Sequence, residues 1–250
     1  MQYRQGSFWN SIPLVTKNLL IINVLMWVAT IVFNKTGMID LTRWLGLHFW
    51  QGSDFNVVQM FTYMFMHDSQ GFAHIFFNMF SLWMFGSLIE RSLGTRRYLF
   101  YYLSCGLGAA LCQELTWQLT WQNTLLGSIQ GGAGLNAAEV VAEIQAGHAA
   151  FTLDDFYNSL ITVGASGAIF GILLAFGMMF PNMKMFIIPF PFPIKAKWMV
   201  LGYGLVELFF GVSNIMNNVA HFAHLGGMLV GIFIILYWKH KGIIRHNGYY

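Results

Sequence analysis

The sequence predicts an all-α membrane protein, a bundle of six transmembrane helices with long outer loops after the first and third spans. Hydrophobic residues make up 56% of the 250-residue chain and charged residues only 9%, whereas a soluble domain contains about 25% charged residues. Apolar runs long enough to cross a hydrocarbon core of ~30 Å recur along the chain. Basic residues fall almost entirely into alternate loops, which gives the bundle a direction. These observations exclude a soluble globular protein.

The six predicted spans follow the apolar runs in order. They cover residues 18–33, 73–89, 98–117, 160–180, 198–212 and 220–238. We expect one membrane domain over residues 1–250, divided into an N-terminus at 1–17, a six-span core at 18–238, an extended outer loop at 118–159 and a tail at 239–250. Within that outer loop, Asn136–Ile144 has the pattern of a short capped amphipathic helix.

The inner segments hold eleven of the thirteen lysine and arginine residues. Only Lys35 and Arg43 fall in outer loops, while Arg4 and Arg245 lie in the two termini. By the positive-inside rule both termini are cytoplasmic, and we expect an integral protein of a bacterial inner (cell) membrane. The basic residues form no dense cluster, so the expected partner is the lipid bilayer and not nucleic acid.

Ser166 and His224 define the predicted reaction centre. Ser166 lies in the fourth span and His224 in the sixth, each 14 residues from the inner end of its span. Both therefore lie ~21 Å above the inner boundary at 1.5 Å per residue. Polar groups at membrane depth usually mark a pathway or a reaction centre. A serine that can meet a histidine there suggests a nucleophile with its base.

Small residues on the fourth and sixth spans predict a close crossing of these two helices. Small-xxx-small faces let helix backbones approach each other, which would bring the serine hydroxyl within hydrogen-bonding distance of the histidine ring. The predicted helix-packing glycines are Gly164, Gly167, Gly171, Gly227 and Gly231.

The second span carries two polar residues near the same level, His74 and Asn78. They are four residues apart, so they share one helix face. Together with the backbone N–H of Ser166, their side chains are candidate hydrogen-bond donors to an oxyanion. The alternative is that both are hydrogen-bonded packing residues between spans.

Glu207, in the fifth span, is expected to be a structural carboxyl. It is nine residues above the start of its span, which places it ~7 Å below the serine level. We therefore expect a Ser-His pair without a third carboxylate. The same count places His221 ~4.5 Å above the serine level, so His221 and His67 are expected at the outer surface.

Two hypotheses from other functional classes remain open for these residues. A transporter or channel could use intramembrane histidines as a proton or metal relay, with His221, His224 and His74 as the candidate ligands. A catalytically inactive scaffold that binds membrane helices is the second alternative. The glutamate of a His-Glu-x-x-His metalloprotease motif is absent, and we expect neither a metal nor another cofactor.

These motifs resemble those of the rhomboid intramembrane serine proteases, over about residues 56–238. In chain order the matching residues are His74 and Asn78 (His-x-x-x-Asn), Gly86, Glu90 and Gly94 (Gly-x-x-x-Glu-x-x-x-Gly), Gly164–Gly167 (Gly-x-Ser-Gly), and Ala223, His224, Gly227 and Gly231 (Ala-His-x-x-Gly-x-x-x-Gly). The resemblance implies a rhomboid-like six-span bundle. It also implies a serine endopeptidase that cleaves single-span membrane proteins with a Ser-His dyad near the outer half of the bilayer. The oligomeric state is left open.

The chain departs from the family pattern at two places. The family often has Trp-Arg in the first outer loop, where this chain has Val58-Gln59. A tyrosine often lies four residues after the serine and stacks on the histidine. Phe170 stands at that position, so the resemblance implies a stacked ring without the hydroxyl.

Overall fold

A computed structural model of the chain describes residues 8–129, 135–186, 192–213 and 220–244. Arg4 and Arg245, which contributed to the predicted orientation, lie outside the described residues. The described part is helical, with two short hairpin-like strand pairs. The prediction of an all-α membrane protein is confirmed in its class: four helices are long and apolar enough to cross a membrane, by length and composition.

The helices follow one another from the N-terminal segment to the last long apolar helix. They are α1 Phe8–Ser11, α2 Leu14–Thr36, α3 Leu41–Leu45, α4 Gln59–Thr62, α5 Phe72–Ser81, α6 Ser87–Leu93, α7 Thr95–Ser128, α8 Ala137–Gln145, α9 Leu153–Ser159, α10 Ser166–Met179, α11 Ala196–Ser213 and α12 His221–His240. A 3₁₀ turn, Tyr63–Phe65, follows α4, and a π-helical segment, Leu82–Gly86, joins α5 to α6.

Two antiparallel strand pairs connect the helices. Strand β1, Leu47–His48, pairs with β2, Ile161–Thr162, so that Leu47 faces Thr162. Strand β3, Lys184–Met185, pairs with β4, Ile194–Lys195. The first pair joins the predicted first outer loop to the segment just before α10, and the second pair joins the end of α10 to the start of α11.

The four membrane-crossing candidates are α2, the continuous helix Phe72–Leu93, α11 and α12. The helices at the third and fourth predicted spans differ from the predicted lengths. Helix α7 continues beyond Trp117 to Ser128, because the residues that follow Trp117 include no glycine or proline before Gly127 to end the helix. The first part of the predicted 118–159 loop is therefore helical.

Helix α10 begins at Ser166, later than the predicted span, which starts at Leu160. The run Ile161-Thr162-Val163 is β-branched, which favours an extended backbone, and two of its residues form β2. Gly164 then adopts φ +134°, a conformation that side chains other than glycine rarely adopt. The serine consequently lies at the N-terminus of a short helix.

Helix α10 is the centre of the hydrophobic core, with most of its residues buried. Its backbone contacts α12 directly, because a Cβ added at Gly227 would overlap the carbonyl oxygen of Gly167. Helix α7 closes the third side, where the Tyr101 hydroxyl donates to the Gly171 carbonyl at 2.7 Å. A side chain at any of these glycines would separate the helices.

Glu90 fastens the start of α2 to the end of α6. Its carboxylate accepts hydrogen bonds from the backbone N–H groups of Val15 and Thr16 at 2.9 and 2.7 Å, and from the Thr16 hydroxyl at 2.8 Å. The first N–H groups of a helix lack intrahelical acceptors, and a negative charge there is stabilised by the helix dipole. Glu90 is therefore a buried helix cap supplied by a neighbouring span.

Gln59 anchors the first outer loop at the position where the sequence departs from the family pattern. Its side-chain oxygen accepts from the N–H groups of His48 and Asn56 at 3.3 and 3.1 Å, and its amide donates to the Asp54 carbonyl at 2.9 Å. Gln59 is only 2% exposed. A buried amide can thus bridge several backbone groups of a loop without a charged side chain.

The second outer loop folds onto the end of α7 around Leu125, Ile144 and Phe156. Asn136 caps α8 by accepting from the Ala138 N–H at 2.9 Å, as the sequence predicts. Thr152 begins α9 with a capping box. The loop is therefore a small packed lobe beside β2, and β2 leads directly to Ser166.

We expect Glu90→Ala to lower the free energy of unfolding by roughly 3 kcal/mol, because buried donors at the start of α2 would lose their acceptor. The measurement is an unfolding titration of the detergent-purified protein. Ser92→Ala is the matched control on the same helix, since that hydroxyl bonds only to Leu88 of its own turn. Equal stabilities of the two variants would contradict the assigned role of Glu90.

Candidate active site

Ser166 is held at the first position of α10 by contacts on both sides. Before it, the Gly164 N–H donates to the Tyr63 carbonyl at 3.0 Å, which ties the approach to α10 to the 3₁₀ turn. After it, the Ile169 N–H donates to the Ala165 carbonyl at 3.0 Å. The N–H of Ser166 itself belongs to the first turn, where backbone donors have no intrahelical acceptor. The hydroxyl and the backbone N–H of Ser166 therefore lie close together at the N-terminus of α10.

The structure brings Ser166 and His224 together. His224 Nε2 lies 2.8 Å from Ser166 Oγ, a hydrogen bond between residues that are 58 positions apart. If the hydroxyl donates to Nε2, the neutral imidazole carries its proton on Nδ1. This contact has the geometry that a general base requires before it takes the serine proton.

Phe170 lies against the face of the His224 ring. The two ring centroids are 4.3 Å apart and the planes are within 7° of parallel. Phe170 follows Ser166 by one helical turn, so the two side chains lie on the same face of α10. The stack holds the plane of the imidazole.

The other side of the histidine faces Glu207. Nδ1 of His224 lies 3.0 Å from Glu207 Oε2, and Nδ1 of His221 lies 2.7 Å from the same oxygen. The side chains of His224 and Glu207 are only 11% and 13% exposed. The His221 contact is an aligned hydrogen bond, whereas His224 Nδ1 forms no aligned hydrogen bond with any described residue. The His224 contact is thus close but off-axis.

The predicted absence of a carboxylate at the serine level is wrong. The Glu207 carboxylate lies 3.0 Å from His224 Nδ1, although counting from Trp198 predicts a level ~7 Å lower. Counting along upright helices neglects helix tilt and the length of the glutamate side chain. Glu207 is therefore a neighbour of His224 that residue counting does not predict.

The predicted exposure of His221 and His67 is also wrong. His221 is 7% exposed and His67 is 1% exposed. The ring of His67 lies 5.1 Å from that of His74. Burial, together with His74, lowers the pKa of His67 to about 3, so the imidazole of His67 is neutral at physiological pH. A count of helical levels cannot detect such loop burial.

His74 and Asn78 both lie beside the serine. A Cβ at Gly164 would be 3.0 Å from His74 Nε2 and 3.5 Å from Ser166 Oγ, so His74 reaches the serine from the side of that glycine. Asn78 and Ser166 line the same cavity of about 220 Å³, together with Phe170 and Tyr203. The buried amide nitrogen of Asn78 has no hydrogen-bond partner among the described residues. The Asn78 side chain therefore offers an unused hydrogen-bond donor beside the cavity that Ser166 also lines.

Glu207, His221 and His224 also have the composition of a metal-binding group. One ligand atom from each lies within 4.8 Å of the others. The short nitrogen–oxygen distances are those of direct contacts between imidazole and carboxylate, which account for the cluster without an ion. His74, the third ligand of the metal alternative, lies instead beside Gly164 and Ser166.

The chain belongs to the rhomboid family, because the family model described as "Rhomboid domain" matches residues 54–241. With the four candidate spans, this membership indicates an integral membrane protein. The chain is 30% identical over 165 residues to "Rhomboid protease GluP" of Bacillus subtilis (strain 168) and 24% identical over 170 residues to "Rhomboid protein 1, mitochondrial" of Saccharomyces cerevisiae. Each alignment covers 65% of this chain, but only 23% and 37% of those two proteins, respectively.

We expect Gly227→Ala to lower the free energy of unfolding by about 3 kcal/mol, the upper end of typical overpacking costs, because the added methyl meets the Gly167 carbonyl. The same unfolding titration measures it. Gly202→Ala is the control, since nothing lies within 4 Å of a Cβ there and alanine favours the helix by up to about 1 kcal/mol. A Gly227→Ala variant as stable as Gly202→Ala would refute the close crossing of α10 and α12.

Proposed function

We propose that this protein is an intramembrane serine endopeptidase, with Ser166 as nucleophile and His224 as general base. The observation that carries the proposal is the 2.8 Å contact between Ser166 Oγ and His224 Nε2. Within an apolar bundle, such a pair is costly to bury unless it is used or satisfied. Family membership supports the same activity.

The proposed reaction uses Nε2 of His224 first as a base and then as an acid. Ser166 Oγ attacks the carbonyl carbon of a peptide bond while Nε2 takes the hydroxyl proton. The imidazolium then gives this proton to the leaving amine, the C–N bond breaks, and an acyl-enzyme ester remains. Water attacks that ester with His224 again as base, which releases the acid and restores the serine.

Three donors are proposed for the oxyanion of the tetrahedral intermediate. They are the Ser166 backbone N–H, the unused amide of Asn78 and the His74 ring. Donors that are already in position stabilise developing charge without reorganisation. The cavity shared by Asn78 and Ser166 offers space for the carbonyl beside them.

The proposed topology is one rhomboid domain with six spans and cytoplasmic termini in a bacterial inner membrane. Helices α7 and α10 are the spans added to the four long apolar candidates. The distribution of basic residues supports the orientation, which directs the start of α10 and the outer lobe away from the cytoplasm. Ser166 then lies in the outer half of the bilayer.

The proposed substrates are single-span membrane proteins. A helix keeps its backbone carbonyls in internal hydrogen bonds, so the substrate must unwind locally before Ser166 can reach a peptide bond. The name of the Bacillus relative, a rhomboid protease, supports proteolysis. A proton or metal relay, or an inactive scaffold, would not require the serine hydroxyl.

We expect Ser166→Ala to abolish cleavage of a single-span reporter without preventing membrane insertion, because no other group replaces the nucleophile. Labelling by a serine-reactive phosphonate, read by mass spectrometry at Ser166, is the matching measurement on the wild type. Cleavage by purified Ser166→Ala protein at the wild-type rate would refute the proposal. Ser159→Ala, at the end of α9, is the control serine variant.

We expect His74→Ala and Asn78→Ala each to lower kcat by ~10²–10³-fold with a smaller change in KM, since losing one oxyanion donor typically has this effect. Steady-state cleavage of the same reporter separates the two constants. Normal kcat in both variants would assign His74 and Asn78 to packing between spans instead.

A further inference from the structure

We propose that Glu207 is a positioning residue for His224, so that the site is a Ser166–His224–Glu207 triad and not a dyad. The inference rests on the proposed function and deepens it. Its basis is the position of the imidazole between two groups: Nε2 lies 2.8 Å from the serine hydroxyl, and Nδ1 lies 3.0 Å from the Glu207 carboxylate.

A carboxylate beside Nδ1 selects the productive tautomer of the histidine. It favours the proton on Nδ1, which leaves Nε2 free to accept the proton of Ser166. When the ring becomes an imidazolium, the negative charge at 3.0 Å stabilises it. These are the two effects that the carboxylate has in a Ser-His-Asp triad.

His221 contacts the same carboxylate oxygen and links α11 to α12. Its Nδ1 donates to Glu207 Oε2 at 2.7 Å, the shorter of the two contacts. His221 and His224 are three residues apart on α12, so both project toward α11. The ring of Phe210 packs on His221 at 5.7 Å. One oxygen of Glu207 thus lies between two imidazoles of the neighbouring helix.

The competing explanation is that Glu207 only fastens α11 to α12. Helix α11 is the least buried of the four long apolar helices, so a buried polar contact there would contribute to its attachment. Both explanations predict some loss of stability when the carboxylate is removed. They differ in whether kcat falls independently of that loss.

The test compares Glu207→Gln with His221→Phe in detergent-purified protein. Glu207→Gln keeps the size of the side chain and removes the charge. His221→Phe removes the shorter link between the helices and keeps the carboxylate beside His224. For each variant, kcat and KM are measured on the single-span reporter, together with the rate of phosphonate labelling and the thermal melting temperature.

We expect Glu207→Gln to lower kcat by about 10²–10⁴-fold, the upper figure being the loss when a triad aspartate becomes an amide, with KM nearly unchanged and labelling slowed in parallel. His221→Phe should lower kcat by less than tenfold, even if its melting temperature falls further. In a His224→Ala background, Glu207→Gln should cause no additional loss, because residues that act as one unit are non-additive.

Wild-type kcat in Glu207→Gln would overturn the triad. Equal losses of kcat in the two variants would overturn it as well, since that result assigns Glu207 to fastening the helices. Failure of the triad is distinct from failure of the proposed function. If Ser166→Ala is inactive while Glu207→Gln cleaves normally, the protease remains with a dyad; if Ser166→Ala is active, both proposals are wrong.

Discussion

The direct contact of the α10 and α12 backbones is the constraint on which the rest of the structure depends. A Cβ at Gly227 of α12 would overlap the Gly167 carbonyl of α10, and a Cβ at Gly167 would overlap Ala109 of α7, so the two helices cannot slide or separate without losing the packing that holds them. Because Ser166 and His224 lie one residue before and three residues before these glycines, the same crossing fixes the distance between hydroxyl and ring. The contact between Ser166 and His224 is therefore held by the backbone packing of α10 against α12.

The short length of α10 has a consequence for access. A helix of 14 residues spans only ~21 Å at 1.5 Å per residue, less than the ~30 Å hydrocarbon core. The β1–β2 pair and the lobe around Leu125, Ile144 and Phe156 pack beside the segment that leads into Ser166. Irregular backbone at membrane depth is tolerated where protein or a polar cavity surrounds it. In the proposed topology the start of α10 is such a place, and the proposed hydrolysis requires water to reach it.

The sequence contains the helical framework and the two reactive residues, but not the contacts made across helices by longer side chains. Apolar runs and glycine spacing predict the class of fold. Of the residues of the rhomboid pattern, His74, Asn78 and His224 lie near Ser166, whereas Glu90 caps the start of α2. Counting residues along upright helices predicts the wrong depths for Glu207 and His221, because it neglects helix tilt and uncertain helix ends. Gln59 could not be interpreted at all, since its partners His48, Asn56 and Asp54 are set by the path of a loop. Periodicity describes faces of helices, and these interactions depend on tertiary geometry.

In this chain Phe170 stands where the family often has a tyrosine, so the stacked ring offers no hydrogen bond. The proposed polar partner of His224 on its Nδ1 side is Glu207. A stacked ring at 4.3 Å holds the plane of the His224 imidazole, and the bond to Cβ fixes the ring within that plane, but neither decides which ring nitrogen carries the proton. In the proposed mechanism Nε2 accepts the hydrogen bond from the Ser166 hydroxyl, which requires the proton on Nδ1. Phe170 has no hydroxyl to supply another polar contact. In the proposed triad, the Glu207 carboxylate 3.0 Å from Nδ1 favours the proton on Nδ1 and so leaves Nε2 able to accept the serine proton.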